Sequence, residues 1–139
     1  RIDVLSREPL IVADAGHNPD GLRASVAALR RMIVGRTVTV FGAMRDKDVA
    51  AMAAAIAPIS RLVVVVRPKT ARAAETVTLL EALHQRGIRA IAAPSVAEGI
   101  RRAVQERRRG EAVLVTGSHY VLGEVLSAMP GMLHRPPRR

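Results

Sequence analysis

The chain has 139 residues, 49% of them hydrophobic, with a net charge of +10, no cysteine and two aromatic residues, Phe41 and Tyr120. This composition describes one folded domain with an aliphatic core, and excludes a disulfide framework or a cysteine zinc site. The scarcity of aromatic rings disfavours a base-stacking nucleic-acid module, and no apolar run approaches the roughly 18 residues of a membrane helix.

The charge comes from 20 Arg and 2 Lys, and much of it lies in Glu106–Arg109 and the tail Arg135–Arg139. Runs of this kind read as solvated rather than as a nucleic-acid patch. The start Arg1-Ile2-Asp3-Val4 has no signal-peptide character, and the lack of cysteine fits a cytoplasmic protein. A first residue other than Met points to a piece of a longer protein or a processed chain.

Arg1–Leu5 reads as a weak edge strand, and Leu10–Asp14 as the first buried strand. Asn18 is placed to cap the first helix, with Pro19 at its first position. Leu22, Val26, Leu29 and Ile33 share one face, and Gly35 is the expected stop. Thr37–Gly42 is the next strand. Asp46 is the expected cap of a second helix that carries Val49, Met52 and Ile56 and stops at Pro58. Arg61–Val66 follows as a strand, then a helix with Thr76, Leu79, Leu80 and Leu83 that closes at Gly87. After the strand Ile88–Ala92, the capping box Ser95-x-x-Glu98 opens a helix that buries Ile100 and Val104 and ends at Gly110. The strand Ala112–Thr116 leads into a last helix near Ser118, with Val121, Leu122 and Val125. The domain is expected to span 1–130, with 131–139 a disordered tail.

Short unbroken apolar strands alternating with amphipathic helices describe an α/β fold. The sheet is mostly parallel, with about six strands and helices on both faces. In such a sheet the carboxyl ends of the parallel strands share one edge, where ligands bind. That edge collects Asp14, His17 and Asn18, then Arg45, Asp46, Lys47 and Asp48, then Arg67, Lys69 and Arg72, and finally Thr116, Ser118 and His119. The opposite edge, with turns near Gly35, Ser60, Gly87 and Gly110, holds far fewer candidate ligands.

The chain carries no P-loop, no Gly-x-Gly-x-x-Gly after its first strand and no Gly-x-Ser-x-Gly elbow. His17 and His119 lack helical ligand spacing, so no metal site is expected. Asn18 and Asp46 are explained as helix caps. Asp14 and His17 read either as ligands or as braces of their turn, and Ser118 either as a cap or as a ligand. Lys47 and Asp48 are solvated or guide domain closure. His119 reads as structural or supporting, and His84 and His134 as surface residues.

Three ordered motifs resemble the C-terminal domain of the Mur ligase superfamily, in its folylpolyglutamate synthase and dihydrofolate synthase branch. Asp14-Ala15-Gly16-His17-Asn18-Pro19 resembles the branch pattern Asp-Gly-Ala-His-Asn-Pro with its second and third positions exchanged. Gly42-Ala43-Met44-Arg45-Asp46-Lys47-Asp48 fits Gly-x-x-x-Asp-Lys-Asp, and Thr116-Gly117-Ser118-His119-Tyr120 fits Thr-Gly-Ser-x-Tyr. Arg72-Ala73 also fits. Cell-wall members tend to show Asp-x-Lys-Ala-x-Asn in the first position, which this chain lacks.

The resemblance implies a Rossmann-like sheet with one antiparallel edge. It implies half of an ATP-dependent ligase, with a P-loop ATPase domain upstream of this chain. The parent would activate a folate or dihydropteroate carboxylate as an acyl phosphate and couple it to L-glutamate. It assigns Arg1 and Asp14 to ATP, and His17 and Ser118 to glutamate. Asn18, Asp46, Lys47 and His119 stand behind them, and no catalytic residue falls in this domain. Mg2+ is expected mainly in the upstream domain. The runner-up readings are another Mur-type amino-acid ligase and, behind it, a basic nucleic-acid-binding module.

Overall fold

The computed structural model describes residues 2–133. Its elements are β1 (Ile2–Arg7), β2 (Leu10–Asp14), α1 (Pro19–Arg30), β3 (Thr37–Phe41), α2 (Val49–Ile56), β4 (Ser60–Val65), α3 (Thr76–His84), β5 (Arg89–Ala92), α4 (Val96–Glu106), β6 (Ala112–Thr116) and α5 (His119–Leu133). They form one six-stranded sheet in the order β1-β2-β6-β3-β4-β5. Every neighbouring pair is parallel except β1 and β2.

Burial explains the order. All five residues of β3 and of β6 are buried, as befits central strands covered by helices on both faces. The polar side chains Asp3, Ser6 and Arg7 suit β1 to an edge, where one side meets water. Two residues, Glu8 and Pro9, join β1 to β2, a connection short enough only for antiparallel strands. At the other edge β5 has four half-buried or exposed residues.

Helices cover both faces. Val38, Val40, Val64, Val113 and Val115 pack with Val96 and Ile100 of α4 and Val121 and Val125 of α5. Phe41, Val63 and Val65 pack on the other face with Met52 and Ile56 of α2 and Leu79 and Leu83 of α3. Val12 and Leu114 meet Val26 and Leu29 of α1 on that same face. The buried hydroxyls of Thr37, Thr39 and Ser60 satisfy one another there, at 2.7 and 2.6 Å. Among the described residues no helix is long and apolar enough to cross a membrane.

Three helix boundaries differ from the sequence expectation. The first helix ends at Arg30, not at Gly35, because its last turn tightens: the N–H groups of Arg31 and Met32 bond three residues back, to Ala28 and Leu29. Ile33 lies beyond the helix and packs half-buried against the Leu29 cluster. The second helix is capped by Asp48, not Asp46: Asp48 Oδ1 accepts from Ala51 N–H at 3.0 Å. Asp46 sits in a turn closed by Lys47 N–H to Met44 O, which delays the helix to Val49. The fourth ends at Glu106, before Gly110, through a tertiary contact. Arg61 donates to the Glu106 carbonyl at 2.8 Å, and Arg107 turns extended. Gly110, with φ of +84°, shapes the following turn instead. Three strands shift by a residue: β3 ends at Phe41, β4 spans Ser60–Val65 and β5 begins at Arg89. The backbone of α5 continues to Leu133, and the rest of the expected tail, 134–139 with His134, lies outside the described residues.

Arg61 and Glu111 lock the edge opposite the strands' carboxyl ends. Arg61 Nε donates to Glu111 Oε2 at 2.7 Å and an Arg61 terminal nitrogen to Oε1 at 2.8 Å. The side chains are 16% and 10% exposed. Burial pushes the Glu111 carboxyl up, but the Arg61 guanidinium and the Arg108 N–H outweigh it, and the group stays below its ordinary value of 4.5. Hydrogen bonding to Glu111 raises Arg61 in turn, against a smaller opposing effect of burial. A depressed carboxyl stabilises the fold fully above the unfolded value and loses that contribution as pH falls through the folded value. Stability should therefore decline below about pH 4.5. Glu111→Gln should cost roughly 2–3 kcal/mol at neutral pH, because it leaves Arg61 half-buried without a counter-charge. Urea unfolding followed against pH checks both the loss and the flatter acid limb of the variant.

Candidate functional site

The strand order creates a crevice. After β2 the chain passes to α1 on one face; after the adjacent β6 it passes to α5 on the other. The two loops diverge, and the space between them is the switch point where open α/β sheets bind ligands. A cleft of about 510 Å³ opens there, lined by Ile2, Asp3, Asp14, Gly16, His17, Asn18, Ser25, Met32, His119 and small neighbours.

Asp14 ends β2 and is 1% exposed. Its Oδ2 accepts from Gly16 N–H at 2.7 Å, so the carboxylate folds back over its own turn. A Cβ on residue 16 would stand 2.5 Å from that oxygen, which explains why glycine occupies this position and alanine position 15. His17 is half-buried, with Nδ1 3.4 Å from Ala15 O. Asn18 is an exposed cap: its Oδ1 accepts from Gly21 N–H at 2.8 Å, and Pro19 occupies the first helical position.

The second wall follows β6. Gly117 has φ of +115°, and a Cβ there would lie 2.0 Å from Gly42 O. Only glycine combines that conformation with that approach. Ser118 is 1% exposed, and its Oγ accepts from Val121 N–H at 3.0 Å, capping α5. It does not line the cleft. His119 does, and its ring centroid stands 5.0 Å from that of His17, with the planes 39° apart.

The structure thus gathers Asp14, His17, Asn18 and His119. It places Asp46 and Lys47 elsewhere, on the β3–α2 loop. That loop is tied to the β4–α3 loop by the Met44–Ala73 bridge, by Arg45 N–H to Arg72 O at 2.8 Å, and by Arg72 to Asp46 at 3.9 Å. Arg67 and Lys69 line a separate opening of about 400 Å³. Arg1 lies outside the described residues. Among the described residues no group of three or more His, Cys, Asp or Glu side chains is placed to hold a metal ion.

Thr116 is the residue to which sequence reasoning gave no role of its own. It ends β6 one step beyond the Ala13–Val115 register pair, beside Asp14 and on the α1 side of the sheet. Its hydroxyl is buried and has no hydrogen-bond partner among the described residues. The only sequence signal was a hydroxyl residue closing an otherwise apolar strand.

A mostly parallel α/β sheet with a cleft at its switch point defines a Rossmann-like domain. The family model described as "Mur ligase, glutamate ligase domain" matches residues 1–119, and the chain belongs to that family. Folylpolyglutamate synthase of Lacticaseibacillus casei is 30% identical over 132 residues, covering 94% of this chain. A UDP-N-acetylmuramyl-tripeptide synthetase of Leifsonia xyli subsp. xyli is 35% identical over 121 residues, covering 80%. The crystal structure of a bifunctional folylpolyglutamate synthase/dihydrofolate synthase from Yersinia pestis, with Mn, AMPPNP and L-glutamate bound, superposes with a TM-score of 0.81 at 28% identity over 92% of this chain. The chain spans 29%, 23% and 30% of the length of these three proteins respectively.

Two substitutions test the geometry of the β6 wall. Gly117→Ala should destabilise the fold by about 3 kcal/mol or more, since neither its φ nor the Gly42 carbonyl leaves room. Thr116→Val should raise stability by about 1 kcal/mol, because it removes a buried hydroxyl without a partner. Thermal melts of the two variants beside the parent chain read both signs. A destabilised Thr116→Val would show that the hydroxyl does have a partner in solution.

Proposed function

We propose that this chain is the C-terminal domain of an ATP-dependent ligase that adds L-glutamate to dihydropteroate or folate, a step of folate metabolism in the cytoplasm. The observation that carries the reading is the juxtaposition of Asp14 and His17 in one switch-point cleft, on residues that fit the folylpolyglutamate synthase pattern. The Yersinia pestis neighbour, with nucleotide, Mn and L-glutamate bound, supports it.

In this reading an upstream P-loop domain holds ATP and a divalent metal, Mg2+ in the cell. ATP phosphorylates the substrate carboxylate, the amino group of glutamate attacks the acyl phosphate, and an amide, ADP and phosphate result. This domain contributes positioning and charge, which dominate phosphoryl-transfer catalysis. Asp14 accepts hydrogen bonds from the ribose hydroxyls, with Arg1 reaching the same nucleotide. His17, as the imidazolium with Nδ1 held by Ala15 O, donates from Nε2 to a carboxylate of glutamate. Ser118, buried beneath the cleft wall, supports the site as the cap of α5. Asn18 holds the start of α1. Lys47, on the bridged loop, guides closure against the upstream domain, and Asp46 holds that loop to Arg72.

A second reading, the C-terminal domain of a muramyl-peptide ligase, is supported by the Leifsonia xyli relative. The segment Asp14–Pro19 argues against it, because it puts Gly16-His17 where cell-wall members tend to carry the Lys-Ala pair.

A ligase assay on the full-length protein, with ATP, L-glutamate and either dihydropteroate or folate, decides between them. Uridine-linked muramyl peptide serves as the competing acceptor. The present chain alone should not hydrolyse ATP. In the full-length protein Asp14→Asn, which keeps an acceptor for Gly16 N–H, should raise the KM for ATP about 10- to 100-fold, with a smaller change for glutamate. His17→Ala should show the reverse split. An unchanged KM for ATP in Asp14→Asn would remove Asp14 from the nucleotide site.

A further inference from the structure

The family pattern Thr-Gly-Ser-x-Tyr leaves position 119 open, and the reading above gives His119 no direct contact with a ligand. The tertiary structure nevertheless sets its ring 5.0 Å from that of His17, at an angle of 39°, with both rings on the wall of one cleft. The two residues come from opposite ends of the chain and from different strand ends, so the fold, not local sequence, pairs them.

Two imidazoles at this spacing are close enough to contact one ligand group together. His17 directs Nδ1 toward Ala15 O, which leaves Nε2 for the cleft. His119, exposed in the first turn of α5, has no hydrogen-bond partner for either ring nitrogen among the described residues and lines the same space. Ala15 O can only accept, so Nδ1 carries the proton and Nε2 donates from the imidazolium; that donor and an N–H of His119 match the two oxygens of one carboxylate. Ser118, the other hydroxyl candidate, lies buried beneath the wall as a cap.

We propose that His119 is a second carboxylate-binding residue, and that His17 and His119 together clamp one carboxylate of the incoming dicarboxylic amino acid. The proposal rests on the glutamate-ligase reading and deepens it. The cleft is then chemically two-ended. Asp3 and Asp14 line its β1–β2 side, and the imidazoles face them from the starts of α1 and α5. Asp14 is engaged with Gly16 N–H, and neither acid is without a partner in the fold. Tyr120 follows His119 on α5, and among the described residues no further titratable side chain lines the cleft.

The pairing has a consequence for pH. A bound carboxylate favours the protonated form of any imidazole that donates to it. Carboxylate binding should therefore take up protons and tighten as pH falls through the imidazole range.

The test is an imidazole 1H–15N NMR titration of this chain with L-glutamate, at about pH 8 and about pH 6. L-glutamate should move the ring signals of both His17 and His119, raise both titration midpoints and leave those of exposed His84 in place. His119→Ala should weaken binding about 10-fold near pH 6 and reduce the tightening between the two pH values. His119→Gln, which keeps an N–H donor but does not titrate, should recover affinity near pH 8 and not the tightening. A His119 signal that stays fixed while His17 moves, a silent response from both rings, or wild-type affinity and pH dependence in His119→Ala would each overturn the clamp. The full-length ligase separates this from the parent reading. Glutamate turnover with the same KM-against-pH curve in wild type and His119→Ala overturns the clamp and leaves the ligase standing. Absence of turnover with either acceptor removes the ligase reading, while the ring titration still decides the clamp.

Discussion

Everything at the site depends on the insertion of β6 between β2 and β3. The strand is last in the chain and central in the sheet, with parallel partners on both sides. All five of its residues are buried, so its place is fixed by apolar contact on both faces. Once it is there, its loop and the loop after β2 must leave the sheet in opposite directions. The cleft is what remains between them. Gly117 completes the arrangement, since its approach to Gly42 O closes the gap on the β3 side and leaves the β2 side open.

The two edges of the sheet are built for different purposes. The lower edge is satisfied internally: Arg61 holds the Glu111 carboxylate and the Glu106 carbonyl, and Glu111 also takes the Arg108 N–H. The upper edge keeps hydrogen-bonding capacity in reserve, in the hydroxyl of Thr116 and the ring nitrogens of His17 and His119. Internal pairing stabilises a fold, and unspent donors and acceptors beside a cleft are what a ligand can use. The same division explains why the most strongly basic segment, 107–109, bears on stability rather than on binding. Arg107 and Arg108 brace the turn that carries Glu111.

Local chemistry was the most legible part. The caps Asn18 and Ser95, the Pro19 start and the apolar faces of the helices follow from contacts within a few residues, and the structure repeats them. Two of the three shifted helix ends are set by partners elsewhere. Glu106 stops where it does because Arg61, from a distant strand, takes its carbonyl. The cap of α2 moves from Asp46 to Asp48 where the Met44–Ala73 bridge holds the preceding loop.

The sequence by itself determined the alternation of buried strands and amphipathic helices, the edge on which polar groups collect, and the family to which the three motifs point. Each of these is a matter of period, spacing or residue identity along the chain. Only the tertiary structure decided which of those polar groups meet. It brought His119 to His17, buried Ser118 as a cap, set Thr116 beside Asp14, and kept Asp46 and Lys47 apart from the cleft. The physical reason is strand order. Which strands pair depends on apolar burial summed over the whole sheet, and no local hydrogen bond or turn encodes it.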